Sequence, residues 1–73
     1  MLVTADGSKV RALREASGFS TREFSRKAGI SRRTLTRVER NEGPVMPGTA
    51  RKIGAALDVN PRTFARAISS RLA

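Results

Sequence analysis

Apolar residues along the chain recur three and four positions apart and do not alternate. Val10 and Leu13, Phe24 and Ala28, Leu35 and Val38, then Ile53, Ala56 and Leu57, and finally Phe64, Ile68 and Leu72 each mark one side of a helix. Glycine, proline and small polar residues stand between these groups, where helices stop and start. No alternating run is long enough to predict a strand.

The boundaries follow from local chemistry. Ser8 predicts the N-cap of a first helix over residues 9–17, and Gly18 ends it. Phe19 follows as a core anchor. Ser20 with Glu23 forms an S-x-x-E capping box for a second helix, which Gly29 stops after about two turns. A third helix starts at Ser31 and runs to Arg40. Residues 41–48, NEGPVMPG, read as a loop. A fourth helix begins around Pro47 to Thr49. Asn60-Pro61, a cap followed by a proline at the first helical position, predicts a fifth. The expected architecture is all-α: five helices over residues 8–73 behind a flexible arm at residues 1–7.

Charge changes the picture. The 73 residues carry fifteen Lys and Arg, twelve of them Arg, against six Asp and Glu, for a net charge of +9. A small domain this basic points to a polyanionic partner, usually nucleic acid. There is no cysteine and no histidine. A disulfide, a thiolate metal site and a histidine base are therefore all excluded, and no Ser-His-Asp triad is possible. Glu15, Glu23, Glu42 and Asp58 make no close carboxylate pair in the pattern. No catalytic residue, metal ligand, cofactor or small-molecule ligand is expected. No apolar run reaches membrane-spanning length and the N-terminus has no signal-peptide core, so a cytoplasmic location is expected.

The third helix concentrates the positive charge. On a helical wheel at about 100° per residue, Leu35 and Val38 define one side, while Arg33, Arg37 and Arg40 fall opposite and Arg32 flanks them. Its single acid, Glu39, lies beside the apolar stripe. A solvated helix normally mixes signs to gain pair interactions; this outer face is almost purely cationic. A short helix, a turn opened by Gly29, then a helix of about ten residues is the helix-turn-helix spacing. Such a helix fits the major groove of B-form DNA, where arginine matches guanine O6 and N7 through two parallel hydrogen bonds. Thr34 and Thr36 add hydroxyl and methyl groups to the same helix, and Arg51 and Lys52 place charge near the start of the fourth.

These residues carry a family resemblance. LREASGFSTREFSRKAGISRRTLTRVER, followed by TARKIGAALDV, resembles the phage repressor/Cro-type, or XRE-family, helix-turn-helix domain over roughly residues 10–68. The motifs are G-F-S at 18–20, A-G-I-S at 28–31, V-E-R at 38–40 and A-L-D-V at 56–59. The resemblance implies a five-helix, lambda-repressor-like fold whose second and third helices read double-stranded DNA. By position it implies base reading by Arg32, Arg33 and Arg37, to which Thr36 is added for its hydroxyl and methyl groups. It implies phosphate or edge contacts by Thr21, Arg22, Arg40 and Thr49, with Arg51 a further candidate. Arg14 and Glu39 match an ion pair linking the first and third helices. The chain departs from the family at Thr21, where glutamine is usual, at Ser25, where alanine is usual, and in the loop at 41–48.

The function expected is a sequence-specific transcriptional regulator, a small phage-type repressor or Cro that acts by occupying its operator. A homodimer on DNA is the expected assembly, with Val45, Met46 and Leu72 as candidate contacts. The alternative is an antitoxin, or the DNA-binding module of a larger regulator, working through a protein partner. Single-strand coating is disfavoured because the chain has no Trp or Tyr to stack on bases.

Overall fold

A computed structural model describes residues 2–67. Strand β1 (Val3–Ala5) leads into α1 (Gly7–Ala16), α2 (Thr21–Ala28), α3 (Arg32–Glu39) and α4 (Pro47–Leu57). One 3-10 turn, Pro61–Thr63, then leads into β2 (Ala65–Ala67). The fold is mostly helical, with four α-helices among the described residues where five were expected.

The helix starts follow side-chain capping. Ser20 accepts from the Glu23 N–H while Glu23 accepts from the Ser20 N–H, so the capping box closes. Ser31 accepts from the Thr34 N–H to start α3. The first helix departs from expectation: Asp6, not Ser8, is its N-cap, accepting from the Lys9 N–H at 3.2 Å. Asp and Ser cap about equally well, so local propensity could not choose between them.

All four α-helices end in the same way. A residue with positive φ follows the last turn, namely Gly18, Gly29, Asn41 and Asp58. In each case the N–H of the residue immediately after it reaches back to an orphan carbonyl, as from Ile30 to Ser25 at 3.0 Å and from Glu42 to Arg37 at 2.9 Å. This is the Schellman arrangement. At Gly29, with φ of 73°, it opens the turn that swings the chain from α2 into α3.

Two expectations at the chain ends fail for one reason. Val3–Ala5 is not a loose arm: it pairs antiparallel with β2, Val3 opposite Ala67 and Ala5 opposite Ala65. Val3 also exchanges both backbone hydrogen bonds with Val45, each at 2.8 Å. The predicted fifth helix stops after a single turn. Asn60 does cap it, accepting from the Arg62 N–H at 2.9 Å, but the chain then extends into β2. Short helices gain little per residue over the cost of nucleation, and the partner strand satisfies the same backbone groups. The Asp6 N–H donates to the Phe64 carbonyl at 2.6 Å, which fastens Phe64 into the core. Ile68, Arg71 and Leu72 lie outside the described residues.

The core draws on all four α-helices and on β1, with Phe64 added from the segment before β2. Val10, Phe24, Leu35 and Ile53 are fully buried, one from each helix, and Val3, Ala28, Val38, Ala50, Ala56, Leu57 and Phe64 complete it. Burying a side chain the size of Val10, Phe24, Leu35 or Ile53 contributes about 1.5–3 kcal/mol. Phe19 closes one side, its ring 6.1 Å from that of Phe24 and capped by the Lys27 ammonium at 4.7 Å.

Candidate nucleic-acid interface

The position of α3 is fixed from three sides. Leu35 and Val38 are buried in the core. Ile30, half-buried in the turn, packs against the same cluster. The third constraint is ionic. Arg14 on α1 donates from Nε to Glu39 Oε2 at 2.7 Å and from Nη2 to Oε1 at 3.1 Å, while Nη1 donates to the Phe19 carbonyl at 2.8 Å. Both side chains are more than nine-tenths buried. The expected pair linking the first and third helices is therefore present, in two-pronged geometry. The hydrogen bonds to Glu39 raise the Arg14 pKa, against the opposing effect of burial.

With α3 held in this way, its outer face is bare. Arg32, Arg33, Arg37 and Arg40 are all exposed, and Thr36 is half-exposed. Arg33, Thr36, Arg37 and Arg40 line one shallow concavity together with Glu42. Thr34, Arg37 and Thr49 face one another across a neighbouring cleft, floored by Val38 and closed by residues 42–46. The structure thus brings together Arg33, Thr36, Arg37 and Arg40, and sets Thr49 across from Arg37.

The other predicted residues sit further off. Arg32 is exposed on the first turn of α3 but lies outside that concavity. Thr21 and Arg22 form the first turn of α2, half-buried and exposed respectively. Arg51 does not join the α3 cluster; it lines the surface beside Met46, Pro47 and Lys52, and a groove next to Val3 and Arg66. Ser25, where the sequence departs from the family, is buried and bonds to the Arg22 carbonyl at 3.0 Å. Its hydroxyl is thereby satisfied inside α2.

Two residues of the loop after Arg40, which the sequence does not single out for the site, bear on this face. Glu42 brings an acid to the cationic face: its carboxylate is 3.9 Å from Arg40, and its backbone carbonyl lies 3.5 Å from Arg37 Nη2. Asn41 takes the left-handed position after α3, with φ of 58°. The available signal was asparagine's tolerance of that conformation at a helix end. Among the described residues, no group of acids is placed to hold a metal ion, and no helix is long and apolar enough to cross a membrane.

A helix-turn-helix with an exposed, arginine-rich second helix defines a class. The helix-turn-helix family model matches residues 10–64, and the chain belongs to that family, in its XRE branch. It is 38% identical over 56 residues to a protein of Pyrococcus furiosus classed as an HTH-type transcriptional regulatory protein, covering 77% of this chain and 18% of that one. The restriction-modification controller protein C.AhdI of Aeromonas hydrophila superposes with a TM-score of 0.73 at 34% identity, over 77% of this chain and 85% of that one. SinR, a master regulator for biofilm formation solved in complex with DNA, superposes with a TM-score of 0.74 at 31% identity, over 78% and 92%. The chain spans less than a fifth of the length of the curated archaeal relatives it matches.

Proposed function

We propose that this chain is a sequence-specific, double-stranded DNA-binding module of a transcriptional regulator, reading the major groove with α3. The observation that carries the reading is the face formed by Arg33, Thr36, Arg37 and Arg40 on a helix immobilised by its own core residues and by Arg14–Glu39. A rigid helix places arginine forks in fixed register with base edges. The same charges on a floating helix would give only non-specific attraction.

In this reading Arg33 and Arg37 contact bases, with Thr36 between them and Arg32 at the edge of the site. Arg40 and Thr49 contact phosphates, flanked by Thr21 and Arg22 on one side and Arg51 on the other. One module of this size buries limited surface on DNA. Two copies on half-sites about 34 Å apart would combine their binding energies, so a homodimer on DNA fits the design. Operator occupancy by a compact phage-type repressor of the Cro kind is the simplest mechanism, carried out in the cytoplasm where the DNA is. The short share of the archaeal relatives that the chain spans favours a second reading, in which it is the DNA-binding module of a larger regulator that works through further protein parts.

Selection from a random duplex pool at near-physiological salt tests the proposal. A two-fold symmetric enriched motif is expected. Arg33→Ala or Arg37→Ala should then cost about 1–3 kcal/mol on that motif and relax one base pair. Arg40→Ala should weaken all duplexes alike and lower the salt slope by about one. Salt-sensitive binding with no enriched motif would defeat it.

A further inference from the structure

The N-terminus of α1 abuts the C-terminus of α3. Gly7, the first residue of α1, is buried, and its α-carbon lies against the carbonyls of Val38 and Glu39. A Cβ built on Gly7 would fall 2.6 Å from the Glu39 oxygen and collide with that of Val38, so no larger residue fits without moving one helix off the other. The Gly7 N–H donates to Asn41 Oδ1 at 2.8 Å. Asn41 is itself the left-handed residue whose N–H closes α3 on the Val38 carbonyl at 3.1 Å. Four residues on, Val45 is bridged to Val3. The N-terminal segment from Val3 to Gly7 therefore grips the loop behind α3 at both ends. That loop carries Glu42 onto the arginine face and closes the cleft between Arg37 and Thr49.

We infer that Gly7 and Asn41 form a latch that fixes the loop relative to α3 and thereby sets the sequence discrimination of the site; the inference rests on the DNA-reading function proposed above. Phosphate contacts position a protein on the duplex and base contacts read the sequence. A specific complex needs both at once, so it is sensitive to any slip between the loop and the helix. A random complex needs only charge near phosphates and tolerates the slip. Gly7 and Asn41 are positioning residues in this scheme, and neither needs to touch DNA.

Gly7→Ala forces two backbones apart and reports on folding as much as on the latch, so Asn41→Gly is the test. Glycine keeps the positive φ and removes the side chain that carries the acceptor. With the full chain, affinity for the selected duplex should fall about three- to tenfold while affinity for random duplex stays within about twofold, the size expected for one lost hydrogen bond. Asn41→Asp keeps an acceptor and should restore the ratio of the two affinities, even though its charge lowers both. Equal losses on both duplexes, or an unchanged ratio in Asn41→Gly, would overturn the latch. Arg37→Ala run beside it separates the two ideas. If Arg37→Ala loses discrimination and Asn41→Gly does not, base reading stands and the latch falls; if Arg37→Ala keeps full discrimination, base reading itself fails and the latch goes with it.

Discussion

Arg14→Ala should be among the most damaging single substitutions available outside the apolar core. Its guanidinium makes two hydrogen bonds to Glu39 and one to the Phe19 carbonyl, and the two charged side chains are only 8% and 9% exposed. Truncation leaves the Glu39 carboxylate shielded from water with no counter-charge. Breaking one side of a buried pair typically costs about 3–5 kcal/mol, most of it the penalty for the stranded charge. The Phe19 carbonyl loses its partner too, for roughly 1 kcal/mol more. A domain of 73 residues has only about 4–11 kcal/mol of stability in total. Urea denaturation followed by far-UV circular dichroism should therefore show Arg14→Ala mostly unfolded, or with its midpoint greatly lowered. The informative comparison is Arg14→Met with Glu39→Met. Replacing the whole pair by apolar groups removes the stranded charge, and the double variant should recover to within about 2 kcal/mol of the parent. An Arg14→Ala loss below about 1 kcal/mol, or a double variant no better than the single, would refute the argument that burial makes this pair costly to break.

Two further outcomes follow from the same geometry. Glu42→Gln removes the acid that lines the concavity with Arg37 and Arg40, so it should tighten binding to specific and random duplex together by a few-fold, visible in fluorescence anisotropy at low salt and fading at high salt. The Ser20 hydrogen bonds hold the Glu23 carboxyl below its ordinary value of 4.5. Its contribution is therefore present above that ordinary value and is lost as pH falls through the lowered one; an acid titration of thermal stability should show the loss, and Glu23→Gln should flatten that part of the curve.

What the sequence disclosed follows the range of the interactions involved. The starts of α2 and α3, their glycine-opened turn and their buried stripe depend on neighbours within a few residues, and each is where the pattern predicts. The family resemblance supplied the longer link between Arg14 and Glu39. Non-local competition was invisible. Asp6 and Ser8 are equally good caps, and Asp6 is the one whose neighbourhood is tied to distant parts of the chain: its N–H donates to the Phe64 carbonyl and Gly7 beside it meets the α3 carbonyls, encounters no local pattern encodes. Asn60-Pro61 is a sound start signal, and the structure honours it for one turn. What stops the helix is a three-residue strand at the opposite end of the chain, too short to show any alternation. Within the candidate site, the arginine face was legible from the wheel, whereas Glu42 and Asn41 acquire their roles only through the way the loop folds back.

The pairing of β1 with β2 also has a mechanical consequence. Val3 lies opposite Ala67, so both strands leave the sheet at the same edge. A tether pulling on the two ends would load the ladder one hydrogen bond at a time, opening it like a zip instead of shearing all its bonds together. The β1–β2 ladder should therefore yield at low force. Its two exits, side by side, also let it sit within a longer polypeptide as a bead on a doubled thread, added or removed without stretching whatever surrounds it.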